Sequence, residues 1–529
     1  MSQARALYHL MRADFLERVR RYSFLITLGL AVWLGWAVST GKLKLWISDT
    51  RGVYNSAWVG LLMALVVNAF VSLAGFYVVK NTLERDRRTG VGQILATTPM
   101  SKVLYTLGKT LSNLAVLLAM VAVLAGMAVV AQFVAGEDTH IHLGPLLAPF
   151  LIFCVPAMAL VAAFAVLFET IPFLKGGFGN VVWFFLFTAT VPLGIKMSHD
   201  PIGLGLVKTQ LKTAVVKAFG SATDSFVLGA LSNERQARSF RWEGMDWTRE
   251  ILLSRLTLLV IAFGIALLAA VFFDRFDVSR SWGRRRSSRK GHAAVAARGL
   301  APAGDGAAVD SAPAPVPVHL HPLPAGSRRF HFLDMLRAEL RLLLKGQRWW
   351  WYGIAAGLIV AGLFVPEAGR KVVLPLTWLW PVLLWSSMGA REARFGTDGL
   401  VFSAAWPLQR QLPATWFAGF LLALITGSGV GIRLAISGNW PAAGAWLIGA
   451  LFIPTFALAM GVWSGTSKAF EVIYLFLWYI GPLNQTRSLD FMGAVPAAVK
   501  AGIPLVWLAA TVALGVAGVA GRKRQLAER

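Results

Sequence analysis

Glu84-Arg-Asp-Arg-Arg-Thr89-Gly-Val-Gly-Gln-Ile-Leu-Ala-Thr-Thr-Pro99-Met-Ser-Lys102 and Glu392-Ala-Arg-Phe-Gly-Thr397-Asp-Gly-Leu-Val-Phe-Ser-Ala-Ala-Trp-Pro407-Leu-Gln-Arg410 share a skeleton 308 positions apart. Glutamate, threonine, proline and a base stand at the same offsets, and each stretch lies between two long apolar runs. A repeat of this kind predicts that the chain holds two copies of one membrane unit. Each copy then carries a charged helix at the membrane surface.

Composition supports the membrane reading. Of 529 residues, 56% are hydrophobic and 15% charged, too few charges to solvate the surface of a soluble chain of this length. Lys and Arg number 51 against 26 Asp and Glu, a net +25. In an apolar chain that excess reads as basic loops on the cytoplasmic side, and nucleic acid is not expected as a partner. The single cysteine, Cys154, lies in an apolar run, so no disulfide within the chain is possible. Arg12, Arg18, Arg20 and Arg21 precede the first apolar run, which shows no cleavage pattern of a leader. They predict a cytoplasmic N-terminus.

A membrane-crossing helix needs roughly 20 apolar residues. Runs of that kind fall at about 22–40, 57–80, 108–135, 144–168, 179–197 and 251–273, then at about 349–365, 373–390, 414–433, 441–463, 470–485 and 500–521. The expected fold is therefore an all-α polytopic membrane protein of about 12 spans, two tandem six-helix repeats with both termini cytoplasmic. Residues 1–273 form the first half and 331–529 the second. Between them, 274–330 begins basic at Arg284-Arg-Arg286 and turns Ala/Pro/Gly-rich, a composition that cannot bury a core and reads as a disordered cytoplasmic linker against anionic headgroups. Each half opens on an amphipathic stretch. Leu7, Leu10, Met11, Phe15 and Val19 oppose Arg12, Glu17 and Arg18; Phe332, Leu336, Leu340 and Leu343 oppose Arg337, Glu339, Arg341 and Lys345. Both predict helices lying in the interface plane. The largest exterior loop, about 198–250, holds a helical face at Val207, Leu211, Val215 and Ala218, and places Trp242 and Trp247 for the membrane interface.

Catalytic signatures are missing. Gly108-Lys109-Thr110 looks like the end of a phosphate loop, but Val103 stands where the first glycine belongs. No zinc-protease helix signature occurs. His140-x-His142 beside Glu137 and Asp138, and His319-x-His321, read as solvated loop histidines rather than metal ligands. Asn68 within the second run is a candidate to face a substrate path, or to bond a neighbouring helix. Gly353-x-x-x-Gly357 and Gly427-x-x-x-Gly431 suit close helix contacts. The chain is not expected to be an enzyme.

The quoted segments resemble the loop between spans two and three of ABC-2 type (type V exporter) permeases. The pattern there is an acidic residue, a Thr-Gly or Gly-Thr pair, an apolar stretch and a proline before a base. In this chain those are Glu84, Thr89-Gly90, Ile94-Leu95, Pro99 and Lys102, then Glu392, Gly396-Thr397, Pro407 and Arg410. The resemblance covers nearly the whole chain apart from the linker. It implies the transmembrane permease subunit of an ATP-driven ABC transporter in an inner membrane, with the segments as coupling helices that dock on cytosolic ATPase subunits. Arg87 and Arg394 join the coupling set on this reading. Because both halves share one chain, two ATPase copies are implied, with ATP and Mg on those partners and no cofactor on this chain. The second segment departs from the first in having Phe395 within the stretch that matches Arg87-Arg88. A second cytoplasmic turn in each half, Glu169-Thr170 and Thr466-Ser467-Lys468 with Glu471, suits a shorter contact with the ATPase.

Two other classes stay open at this point. A proton-coupled transporter of the major facilitator type also has six plus six spans, but its charged motif needs a glycine where Thr82 stands, and no acidic residue lies mid-span in the first half. A membrane-embedded lipid-modifying enzyme would need clustered His, Asp or Glu at a boundary, which only the His140 pair approaches.

Overall fold

A computed structural model describes residues 3–47, 50–138, 140–194, 200–222, 225–229, 238–276 and 331–528. The linker expected at 274–330, including His319 and His321, lies almost wholly outside the described residues. The protein is an α-helical, multi-pass membrane protein. Among the described residues, eight helices are long and apolar enough to cross a membrane, or nine if the bent pair Leu7–Val19 and Phe24–Ser39 makes one span. Two further apolar helices, Trp349–Phe364 and Lys371–Trp385, are shorter.

The chain divides into two compact units. One comprises Met1–Phe276 with Ser467–Tyr479, the other Asp277–Thr466 with Ile480–Arg529. Helix Lys468–Trp478 thus belongs, by packing, with the first part of the chain.

Helix Ser56–Val79 is the centre of the first unit. It is apolar all round, and Leu61, Leu62, Met63, Ala64 and Leu65 have no exposed surface, as a helix surrounded by other helices must. Its start is fixed by Asn55, whose side chain accepts from the Trp58 amide and donates to the Trp242 carbonyl at 2.7 Å. Helix Arg249–Phe272 has one exposed apolar face instead, with Leu256, Val260, Phe263 and Val271 outward, the pattern of a helix facing lipid. The span that ends at Thr170 is made of Leu143–Pro149, a π-helical turn Phe150–Cys154 and Val155–Thr170; Pro156, without an amide hydrogen, removes a ladder bond next to the widened turn.

At the Asn55 end lie the only strands among the described residues, a four-stranded sheet. Lys44–Ile47 pairs antiparallel with Phe226–Gly229 and with Thr50–Gly52, which pairs parallel with Arg238–Phe240. The sheet lies against Trp58, which meets Phe240 and Trp242 edge-on. Gly52 is required here, because a Cβ would fall 2.3 Å from the Trp58 ring. Trp242 is buried against Trp58, within the cap that the sheet makes over this helix end. Of the expected helical face, Leu204–Phe219 buries Val207, Leu211 and Val215, whereas Ala218, in its last turn, is exposed. Glu137 and Asp138 are taken up as loop ties. Glu137 pairs with Arg51 at 2.7 Å and accepts from the Tyr54 amide; Asp138 meets Arg241 and the His140 amide. The Arg51 bond holds the Glu137 carboxyl below its usual range against partial burial.

In the second unit, helices Trp349–Phe364, Pro407–Ile436, Trp440–Ser464 and Ile503–Ala527 pack around indoles. Trp378 and Trp385 are fully buried and donate to the carbonyls of Ala423 and Gly419, each at 3.0 Å. Of the two glycine pairs, Gly427 and Gly431 lie under the Trp446 ring, whereas Gly353 and Gly357 face open space. Helices Trp349–Phe364 and Pro407–Ile436 meet closely at Gly429, where a Cβ would be 1.9 Å from the Ile359 carbonyl oxygen.

Candidate functional site: two charged hinge segments

Helix Ser56–Val79 stops at Lys80, and Asn81 takes a left-handed conformation (φ 79°). The chain then forms Thr82–Arg88, turns at Gly90 (φ 76°), forms Val91–Thr97 and enters the long span Lys102–Ala135 through the Ser101 cap. Two seven-residue helices cannot hold themselves in water. Side chains from elsewhere hold them. The buried Glu169 carboxylate accepts four successive amides, Asn81 at 2.7, Thr82 at 2.9, Leu83 at 2.7 and Glu84 at 3.2 Å. A carboxylate there satisfies the orphan donors of the first turn and favours its positive dipole end.

The other side of the same helix enters a network of charges. Asp86, 2% exposed, accepts from Tyr105 Oη at 2.7 Å and pairs with Lys109 Nζ at 2.7 Å. Lys109 also meets Asp14 on the N-terminal helix Gln3–Val19 at 2.6 Å. Arg85 reaches Asp14 at 2.6 Å and also Glu17. Arg18 bonds Thr82 Oγ1 at 2.9 Å and the Asn113 side chain. Arg87 Nη2 donates to both carboxylate oxygens of Asp274, each at 2.6 Å. Lys175 lies beside Asp274, and burial with Arg87 nearby pushes its ammonium below the usual range. The N-terminal helix is thus not held by an apolar stripe alone: Arg18, expected on the polar face, is buried, and so is Asp14.

The outward face is left to Arg88, paired with Glu84 at 3.1 Å, and to Thr89, Val91, Gln93, Ile94, Thr97 and Pro99. Ile94 is 68% exposed. Lys102, half-buried, opens the span.

In the second unit the chain forms Arg391–Phe395, turns at Gly396 (φ 63°), forms Asp398–Phe402 and enters the span Pro407–Ile436. Arg391 Nη1 reaches Glu339 at 3.1 Å on helix Phe332–Leu344. Burial pushes the Glu339 carboxyl up, and Arg391 opposes that. Glu392, 6% exposed, accepts from Gln411 at 2.9 Å and meets Arg522 at 3.5 Å; Arg522 also lies over the Phe402 ring. Arg394, Phe395, Thr397, Leu400 and Trp406 are exposed, and Arg410 is half-buried.

These contacts change the register between the segments. Arg85 and Arg391 each meet the acid of a preceding helix. Asp86 and Glu392 are the buried acids, Gly90 and Gly396 the left-handed turns, and Tyr105 and Gln411 the donors on the following span. Every pair is 306 positions apart (391 minus 85, and likewise for the rest), not 308. Asp86, not Glu84, has the environment of Glu392. The Thr89/Thr397 and Pro99/Pro407 coincidence at 308 is not reflected in the contacts. The sequence carries the clue, since Thr89-Gly90 becomes Gly396-Thr397 and aligning glycine to glycine moves the register by two.

The remaining candidates fall as follows. Thr170 is buried and donates to the Leu167 carbonyl, and Glu471 is buried against Asn180. Lys468 Nζ is bound to the carbonyls of Tyr77 and Lys80. Thr466 is exposed. Asn68 has no exposed surface and donates to the Ile202 carbonyl at 3.0 Å, so a structural bond accounts for it. Among the described residues no group of three His, Cys, Asp or Glu could hold a metal ion. Sequence reading missed Asp14, Asp86, Tyr105, Lys109, Glu339, Gln411 and Arg522; Lys109, a charge at the head of a long apolar run, was the available signal.

No protein-family model, no curated protein and no solved structure matches the chain.

Proposed function

We propose that the chain is the transmembrane permease subunit of an ATP-driven ABC transporter of the ABC-2 (type V exporter) kind, an exporter in a bacterial inner membrane. Its two halves are tandem six-span repeats fused in one chain, with both termini and both charged segments cytoplasmic. Two copies of a cytosolic ATPase, carrying ATP and Mg, dock on the outward faces of the two segments.

One observation carries this reading. Both segments bury one charged face in a lock to the preceding helix and the following span, and leave the other face to solvent with exposed side chains such as Ile94, Leu400 and Trp406. A short helix locked on one side to a neighbouring helix and a span, and bare on the other, can pass a push from a partner into the membrane. The docking residues on this reading are the exposed ones, Arg88, Thr89, Ile94 and Pro99, then Arg394, Phe395, Thr397, Leu400 and Trp406. Arg85, Asp86, Arg87, Glu169 and Glu392 transmit the push.

The test is co-purification. The chain solubilised from its native membrane is expected to bring down an ATP-binding subunit at two copies per chain. A chain that purifies alone and moves solute with a proton gradient would overturn the reading.

A further inference from the structure

Where helix Ser56–Val79 gives way to Thr82–Arg88, the backbone has a break of two residues, Lys80 and Asn81. Such a break frees carbonyls at the end of one helix and amides at the start of the next. The amides go to Glu169. The carbonyls of Tyr77 and Lys80 go to Lys468 Nζ, at 2.8 and 3.1 Å. Lys468 is separated from them by nearly 400 positions in sequence (391 and 388) and opens helix Lys468–Trp478.

A second contact from the same helix closes a circuit. Glu471, one turn after Lys468 and 1% exposed, accepts from the Asn180 side-chain amide. The oxygen of that amide accepts from Lys80 Nζ at 2.9 Å, and Lys80 Nζ also reaches the Leu174 and Gly176 carbonyls. Tyr77 Oη donates to the Asn180 backbone carbonyl at 2.9 Å. Helix Lys468–Trp478 therefore grips the break twice, through Lys468 on its carbonyls and through Glu471 and Asn180 on its lysine side chain. Residues three apart on a helix share a face, so both grips act from one surface.

We propose that Lys468 and Glu471 are positioning residues of a hinge clamp that makes the first charged segment move as one body with helix Lys468–Trp478. Four ionisable side chains, Lys80 and Lys468 with Glu169 and Glu471, are tied to the break through backbone groups or the Asn180 amide. Removing one strands its neighbours in a place with little water, so the clamp is either whole or open. The clamp itself stands on these bonds alone. Its use, carrying the ATPase stroke on the first segment to a helix from the late part of the chain, rests on the permease reading.

The test is hydrogen exchange of the full chain in lipid nanodiscs, without any partner. In Lys468→Met the amides of residues 81–84 are expected to exchange about tenfold faster or more, those of the span Lys102–Ala135 staying at the wild-type rate. Lys468→Arg, which keeps the charge and the donors, restores slow exchange. Glu471→Gln, which keeps shape and one acceptor, gives a smaller rise, about threefold, and serves if Lys468→Met does not fold. Unchanged exchange at 81–84 in folded Lys468→Met or Glu471→Gln overturns the clamp, as does an equal rise throughout the span. Protection that depends on Lys468 in a chain that recruits no ATPase would leave the clamp standing and remove the permease reading.

Discussion

The two charged segments share a plan and differ in the strength of the lock. In the first, the acid Asp86 is met by a phenol and a lysine, Tyr105 and Lys109, and Lys109 is shared with Asp14. In the second, the residue 306 positions on from Lys109 is Thr415, and Glu392 is met by the neutral amide of Gln411 and, at longer range, by Arg522. The hinges differ as well. The first is held by charged side chains on free backbone groups. The second turns at Gly389 (φ 72°), where close packing does the work: a Cβ would lie 2.7 Å from the Leu458 carbonyl oxygen. A fixed geometry can thus be reached through interlocked charges or through close backbone contact, and the two respond differently to substitution.

The comparison breaks most sharply at the buried acids. Asp86→Ala removes one of the two carboxylates on Lys109, which is 1% exposed, and is expected to destabilise the first unit by about 3 kcal/mol. Glu392→Ala leaves a neutral amide and an arginine already stacked on Phe402, so the expected loss is roughly 1–2 kcal/mol. Thermal unfolding of the two variants in detergent measures the gap, and equal losses would remove the distinction.

The turns sharpen it in the opposite sense. Gly90 and Gly396 both have a positive φ and nothing within 4 Å of a built Cβ. Gly90→Ala and Gly396→Ala should therefore cost the same, about 1 kcal/mol each, from backbone conformation alone. A larger loss at one site in the same unfolding assay would mean that its turn is also a packing contact.

Outward residues should leave stability alone. Arg88→Glu and Arg394→Glu change exposed side chains, so unfolding should shift by less than about 0.5 kcal/mol. If the ATPase docks there, its stimulation by the chain should fall in both. Retained stimulation would move docking away from these faces.

The smallest effect is a pH effect at the sheet end. The Glu137 carboxyl is held below its ordinary 4.5 by Arg51, so its tie to the Tyr54 amide is present at neutral pH. The stabilisation is lost only as pH falls through that lowered value. Exchange of the Tyr54 amide, corrected for its intrinsic pH dependence, should stay slow above pH 4.5 and rise below it in wild type. In Glu137→Gln it should be fast throughout.

Hydropathy made most of the helices legible, because a membrane-crossing helix has to be apolar over its length. The two charged segments were legible for the complementary reason, as polar stretches between apolar runs. Their register was not. Thr89 and Thr397, and Pro99 and Pro407, agree in spacing, but the residues that fix each segment bond to partners on other helices, and a match of letters within the segment carries no trace of those partners. Glu169 and Glu471 read as surface charges in a turn; their roles as a helix cap and as part of a grip appear only once distant backbone breaks are beside them. The placement of helix Lys468–Trp478 with the first unit follows from contacts that no local pattern encodes.

The four-stranded sheet sets an order of assembly. Strand Lys44–Ile47 leaves the ribosome early, but its neighbour Phe226–Gly229 and the strand Arg238–Phe240 follow only after several helices have been made. Closing so long a loop is slow and must wait for the intervening helices to settle in the bilayer. Until then Lys44–Ile47 has an unpaired edge, open to other strands. A nascent chain arrested before residue 226 should therefore be sensitive to protease near residue 50, and resistance gained on further elongation would mark the moment at which the cap seals.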